Sequence, residues 1–285
     1  MCRRALRVKV PAKINFWLEV LGRRVDGYHE LSSLMLPIGI YDELHLRVLP
    51  EEGIILECDQ PEIPRDRSNL AWRAAEVFYE AMDARPALHI EIKKSIPMAA
   101  GLGGGSADAA GVLVGLSTLY PGKVSPEALH ELAARLGADI PFFLYRKPAL
   151  ATGIGERLER VSGIPEYPLL LLKPPLTVST AWVYNSLKLT RGGSRIKVPR
   201  LMADPWSLEE FLQNDLESVT LNAVPVLFHL KEWLVEQGAL GALMSGSGPT
   251  VFGVFTSTET AGAAESAARS AWPDAWVACT RVLGG

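Results

Sequence analysis

Four glycines beside a helix start decide most about how this chain can fold. Gly101, Gly103, Gly104 and Gly105 stand in Pro97-Met98-Ala99-Ala100-Gly101-Leu102-Gly103-Gly104-Gly105-Ser106, between the alternating segment Leu88-His89-Ile90-Glu91-Ile92 and an alanine-rich run. The alternation predicts a strand, and the run predicts a helix from about Ser106 to Tyr120. The loop between them must turn a strand into a helix start. Glycines let backbone N–H groups converge without Cβ obstruction, and the helix start adds unpaired donors and the positive end of its dipole. A di- or triphosphate is the natural ligand of such a nest. The bland alternative is a loop that only needs unusual backbone angles, and four glycines exceed what a turn requires.

The spacing departs from both familiar phosphate motifs. It lacks the Gly-x-x-x-x-Gly-Lys-Ser/Thr order, and it misses the last glycine of the dinucleotide fingerprint. It also opens a middle helix rather than the first one. A nucleoside triphosphate therefore fits better than a dinucleotide. Asp108, in the first turns of the helix, reads as a dipole-favourable residue, with a role toward Mg²⁺ as the lesser alternative.

Around this loop the chain alternates strands and helices. Leu6–Val10, Phe16–Leu21, Leu31–Leu36 and Asp42–Val48 read as half-buried strands, with a turn signal at Asp26-Gly27. Ser68 or Asn69 caps a predicted helix to about Met82, and Ser125-Pro126 opens another that Gly137 stops. A Gly-, Pro- and charge-rich stretch, 146–168, is the best boundary, giving domains 1–158 and 159–285. Beyond it come a strand at Leu169–Lys173, a loop or insertion at Arg191–Asp204 and a Ser207/Glu210 capping box. Helices near Val226–Gln237 and Thr260–Ala271 and strands at Val251–Phe255 and Trp276–Cys279 complete an α+β chain of 285 residues.

Composition closes other classes. Hydrophobic residues at 48% and charged ones at 21% exclude a disordered chain. A formal charge of -3 offers no global basic field for nucleic acid. Cys2, Cys58 and Cys279 are too scattered for a disulfide scaffold or a zinc site, which fits a cytoplasmic protein. The uncharged stretch from Gln237 to Thr258 is broken by Ser245-Gly246-Ser247-Gly248-Pro249, so it predicts a turn rather than a membrane span.

Several residues invite chemistry, each with a plainer alternative. Asp139 in Gly-Ala-Asp-Ile-Pro is either an orienting carboxylate or a helix-to-strand turn residue. Lys13 shares a strand face with Asn15 in an apolar run and either reaches solvent or serves a reacting group. Tyr28 and His29, after Asp26-Gly27, suffice as exposed hairpin residues. Lys93 and Lys94 either solvate a strand end or reach nucleotide.

Three separated segments resemble the motifs of the galactokinase, homoserine kinase, mevalonate kinase and phosphomevalonate kinase superfamily. They are Pro11-Ala12-Lys13-Ile14-Asn15, the glycine loop continuing into Ser-Ala-Asp-Ala-Ala, and Ser245-Gly246-Ser247-Gly248-Pro249-Thr250. The intervening Gly27-Tyr28-His29, GADIPFFL and Asn214-Asp215-Leu216-Glu217 resemble the branch that phosphorylates a cytidine diphosphate alcohol in non-mevalonate isoprenoid precursor biosynthesis. The likeness runs from about Pro11 to Phe255.

That resemblance implies a two-domain α+β small-molecule kinase fold. Its N-terminal domain would be ribosomal-protein-S5-domain-2-like, its C-terminal domain ferredoxin-like, and its active site in the crevice between them. It implies ATP, with Mg²⁺, as phosphoryl donor, held by Lys94 and by Pro97, Met98, Ala99, Ala100, Gly101, Leu102, Gly103, Gly104, Gly105, Ser106 and Ala107. Lys13 and Asp139 become the catalytic pair. Asn15, Tyr28, His29, Thr180 and Tyr184 become substrate residues, with Tyr28 stacked on the cytosine, His29 on its edge and Tyr184 on the opposite side. No residue is assigned as a metal ligand. Nucleic acid and membrane are not expected partners, and the chain is expected as a monomer or homodimer. A mevalonate- or homoserine-type kinase and a silent nucleotide binder are the alternatives. Phe16-Trp17 departs from the smaller aliphatic residues usual after the first motif, and Thr152 stands where an arginine is usual.

Overall fold

A computed structural model describes residues 5–188 and 208–284. The chain divides into two compact units that interleave along the sequence. Of the described residues, the first takes those up to Ala12, Ile40–Met98 and Gly103–Arg146, and the second takes Lys13–Gly39, Ala99–Leu102 and those from Lys147 on. A single cut at 158 does not separate these units. The reason is two long strands, β1 (Ala5–Arg23) and β2 (His29–Val48), each of which contributes one stretch to either unit. The expected strands ended at Val10 and Leu36, each just before a proline. Proline removes one N–H but keeps an extended backbone, so both strands continue through it.

In the first unit the strand order is β3-β4-β2-β1. Here β3 (Gly53–Cys58) is parallel to β4 (Ala87–Lys93), which pairs antiparallel with β2 from Glu43↔Lys93 to Val48↔Leu88. The helices are α1 (Leu70–Ala81), α2 (Gly104–Leu119), α3 (Pro126–Leu136) and α4 (Ile140–Tyr145). Asn69 caps α1 through Ala71 N, and Ser125 caps α3 through Ala128 N, as the sequence predicts. Helix α2 is apolar around most of its circumference because it is buried between sheet and helices. Its mid-helix glycines permit that approach. A Cβ at Gly115 would lie 2.2 Å from Leu46 Cδ1, and one at Gly111 would lie 2.8 Å from Val10 Cγ1.

In the second unit, β5 (Ala149–Gly153) pairs antiparallel with β2 from Leu31↔Gly153 to Met35↔Ala149, and β6 (Arg157–Arg160) pairs with β5. The order β11-β7-β10-β9 describes a second, antiparallel sheet, with β7 Pro168–Lys173, β9 Gly241–Met244, β10 Val251–Val254 and β11 Trp276–Arg281. A short β8 (Gln213–Asn214) runs parallel to β1 at Trp17↔Gln213. The helices are α5 (Thr180–Ser186), α6 (Leu208–Phe211), α7 (Glu217–Ala223), α8 (Val226–Glu236) and α9 (Thr258–Ala271). Leu227, Leu230 and Leu234 of α8 form the buried stripe expected from their spacing, and they meet Leu170, Leu172, Val251, Ala261 and Ala264. Leu18 and Val20 from β1 complete that core. Phe16 packs its ring at 6.1 Å from both Tyr167 and Phe252, so the departure at this position fills a core. The Arg191–Asp204 loop and the Ser207/Glu210 capping box lie outside the described residues.

Candidate active site

The stems of the glycine loop belong to the first unit. Gly103 is the N-cap of α2 with φ 74, and no side chain caps that helix start. Donors there are oriented by a left-handed residue that glycine adopts without strain. Below them Lys94, at the end of β4, directs its ammonium to two carboxylates. It donates to Asp42 and, at 2.7 Å, to Asp108 Oδ2, and all three side chains are almost wholly buried. Asp42 Oδ1 also accepts from Ser95 N at 2.6 Å and Ile96 N at 2.9 Å. Asp108 Oδ1 is buried and accepts no hydrogen bond.

Burial lowers the proton affinity of Lys94, but Asp108 and Asp42 outweigh it and hold the ammonium above its usual range. Burial, against the pull of Lys94 and reinforced by Asp42, pushes the Asp108 carboxyl up to about 8. The ammonium of Lys94 is thus already engaged within the loop's base.

The middle of the loop, Ala99–Leu102, belongs to the second unit. Lys13 N donates to Leu102 O at 3.1 Å, Thr250 N to Ala100 O at 3.4 Å and Ser245 Oγ to Gly101 O at 2.9 Å. Gly101 has φ 75, and a Cβ there would fall 2.1 Å from Ser245 O. So the first motif holds the first glycine loop through a backbone N–H, and the second glycine loop holds it through the Thr250 N–H and the Ser245 hydroxyl.

Lys13 and Asn15 are buried, and the ammonium donates to Asn15 Oδ1. Asn15 Nδ2 donates to Ser33 Oγ at 2.8 Å, which in turn donates to Trp17 O at 2.7 Å. Gly246, φ 56, lies over this pair; a Cβ there would sit 3.3 Å from Asn15 Oδ1 and 3.5 Å from Lys13 Nζ. The Asn214–Glu217 segment holds the second glycine loop in place. Asn214 Nδ2 donates to Met244 O and Gly246 O at 2.7 Å each, and Glu217 accepts from Met244 N at 2.8 Å and Lys231 at 2.6 Å.

Of the residues expected at the base, the structure brings His29 and Tyr184 together, with ring centroids 5.3 Å apart at 34°. Tyr28 is 60% exposed, its backbone N bonded to Asp26 Oδ1 at 3.1 Å. Burial first, and then the charge of Arg23, hold His29 below the usual histidine range. Its ring is neutral at pH 7, with one donor and one acceptor nitrogen. Thr180, first residue of α5, shares a 2.8 Å hydroxyl contact with Ser247. Trp182 is exposed on the same helix.

Asp139 is the N-cap of α4, so its connection is helix to helix rather than helix to strand. Its side chain makes no capping bond, and it is half-buried. Asp139 belongs to the first unit and Lys13 to the second. In the β5–β6 turn, Gly153 has φ 75, and Glu156 accepts from Ile154 N at 2.7 Å. Sequence reading missed Asp42, Ser33 and Ser245. Asp42 opens an alternating strand and gave no signal of its own, whereas Ser245 stood in the quoted glycine loop without a role. Among the described residues, no group of three or more His, Cys, Asp or Glu could hold a metal ion. Also among them, no helix is long and apolar enough to cross a membrane.

Residues 69–147 match the GHMP kinases N terminal domain, and residues 190–274 match GHMP kinases C terminal. The chain is 47% identical over 264 residues to 4-diphosphocytidyl-2-C-methyl-D-erythritol kinase of Syntrophotalea carbinolica, covering 92% of this chain and 94% of that one. It is 45% identical over 281 residues to the Geobacter metallireducens kinase of the same name, covering 98% and 99%. A crystal structure of 4-(cytidine 5'-diphospho)-2C-methyl-D-erythritol kinase superposes with a TM-score of 0.82 at 37% identity, over 98% of this chain and 100% of that one. A homoserine kinase from Cytophaga hutchinsonii, at 20% identity and TM-score 0.77 over 100% and 97%, shares the fold.

Proposed function

The chain belongs to the 4-diphosphocytidyl-2-C-methyl-D-erythritol kinase family of the GHMP kinases, and on that premise we propose how its residues carry the family's reaction. It transfers the γ-phosphoryl group of ATP to the 2-hydroxyl of 4-diphosphocytidyl-2-C-methyl-D-erythritol. The acceptor oxygen bonds to the γ-phosphorus, the bond to the bridging oxygen breaks, and ADP leaves. The near-full-length likeness to kinases of that name carries this reading.

ATP enters as its Mg²⁺ complex, with the metal arriving as part of the substrate. The Pro97–Ala107 loop fits a polyphosphate because its helix start is uncapped and its glycines hold left-handed angles. Asp139 orients the acceptor hydroxyl and takes its proton. Lys13, positioned by Asn15, neutralises charge on the transferring group. Tyr28 stacks on the cytosine while neutral His29 and Tyr184 bind around it; Thr180 lies beside them. Lys94 serves ATP through the loop rather than as a free phosphate ligand, in keeping with its two carboxylate partners. A module boundary near 158, a cytoplasmic location, and a monomeric or homodimeric state belong to the same proposal; free Cys58 and Cys279 support the location.

The test offers the cytidine diphosphate alcohol, mevalonate and homoserine in turn as acceptors for ATP. Turnover is expected with the first alone, and turnover confined to another acceptor sinks the substrate assignment. Asp139→Ala should cut kcat by about 10²–10⁴-fold with nucleotide binding intact. A near-wild-type rate removes Asp139 from the mechanism.

A further inference from the structure

Resting on the reading of the glycine loop as the ATP site, we propose that Asp42, Lys94 and Asp108 form a positioning clamp that sets the spacing of the loop's two stems for ATP. Lys94 ends the strand that enters the loop, and Asp108 stands in the helix that leaves it. The 2.7 Å bond between them therefore closes the loop at its base. Asp42, on a third element, holds the entering stem through Ser95 N, Ile96 N and the Lys94 ammonium. The two stems are so close that a Cβ at Gly104 would lie 3.2 Å from Lys94 Nζ and 3.1 Å from Ile96 Cγ2. Gly104 thus lets the first turn of α2 rest against the ammonium.

The geometry makes the device sensitive to loss of its centre. One buried ammonium donates to both carboxyl groups, so removing Lys94 leaves Asp42 and Asp108 without the donor that joins them. The stems then relax apart, and the amides at the start of α2 lose the geometry that receives phosphate. None of the three side chains needs to touch substrate. Replacing Asp108 by asparagine keeps an oxygen for the Lys94 bond and puts the amide nitrogen where Oδ1 accepts no hydrogen bond, so the clamp survives that change.

Full-length wild type, Lys94→Met, Asp108→Leu, Asp108→Asn and Asp42→Asn are compared for steady-state kinetics, for binding of a non-hydrolysable ATP analogue and for thermal unfolding. Lys94→Met and Asp108→Leu are expected to raise the KM for ATP by about 10-fold or more while KM for the cytidine substrate and kcat at saturating ATP move less than about 3-fold. Analogue affinity should fall in parallel, and Asp108→Asn should stay within about 3-fold of wild type. If Lys94→Met does not fold, Asp42→Asn carries the same expectation, because both Asp42 oxygens accept and the asparagine amide would turn a donor toward either Lys94 or the Ser95 and Ile96 N–H groups. Variants that unfold earlier yet bind ATP normally, or that lose both substrates and kcat together, overturn the clamp. Failure of the wild type to bind the analogue at all would instead sink the ATP reading beneath it.

Discussion

A buried carboxyl that prefers its proton leaves a mark on stability, and Asp108 is that residue. Its folded carboxyl is pushed up to about 8 by burial, with Asp42 adding to the effect and Lys94 opposing it; Cys58, whose thiol burial pushes up, is the other titratable group that senses it. In the unfolded chain the carboxyl returns to about 4. The folded state therefore binds more protons between those values. The contribution of Asp108 to stability is complete below about pH 4, falls as pH rises through that window and is flat above it. Asp108→Asn removes this slope. Denaturant unfolding at pH 5 and pH 8 should show the variant gaining on wild type by more than about 1 kcal/mol at the higher pH. Parallel profiles would mean that Asp108 ionises normally in the fold. His29 titrates the opposite way: its folded value is depressed, so its contribution is present above the ordinary histidine range and is lost on acidification through the folded value.

At the scale of elements, the first glycine loop meets the second in a close approach of backbone to backbone. Gly101 combines φ 75 with a position where a Cβ would strike Ser245 O at 2.1 Å. Gly101→Ala must displace the loop or the second glycine loop, at a cost of about 1–3 kcal/mol. Circular dichroism should report a folded protein with a lowered melting temperature, while KM for ATP rises; an unchanged KM would show that the loop absorbs the methyl group. The left-handed backbone of this loop was legible in the sequence because glycine density beside a helix start answers a demand for positive φ, met here at Gly101 and Gly103. The helix caps at Asn69 and Ser125 and the Leu227–Leu234 stripe were legible too, since they follow from local chemistry. The β1 and β2 lengths were not, because alternation stops at a proline in sequence although an extended backbone does not. Asp42 was not legible either. Its importance comes from Lys94 and Asp108, which lie 52 and 66 positions away, and no local pattern reports such a meeting.

At the scale of the whole molecule, the kinase motifs are distributed so that no contiguous half of the chain carries a finished core. The second unit draws Lys13–Gly39 and Ala99–Leu102 into the same body as the residues after Lys147. Phe16 stacks between Tyr167 and Phe252, Leu18 and Val20 sit among the leucines of β7 and α8, and β5 pairs along β2. Fully burying each such aliphatic side chain is worth about 1.5–3 kcal/mol, so losing several exceeds a marginal domain's net stability. A fragment of residues 159–285 therefore lacks part of its own core and should express as aggregate, or as monomer without a cooperative melt. Phe16→Ala in the intact chain tests the same dependence at one point, with an expected cost of about 3–5 kcal/mol. Co-expression of 1–158 with 159–285 should restore soluble protein if the missing residues, rather than the cut itself, are the cause. A fragment of 159–285 that alone unfolds cooperatively would show that the β1 and β2 contributions are dispensable, and that the module boundary near 158 is also a folding boundary.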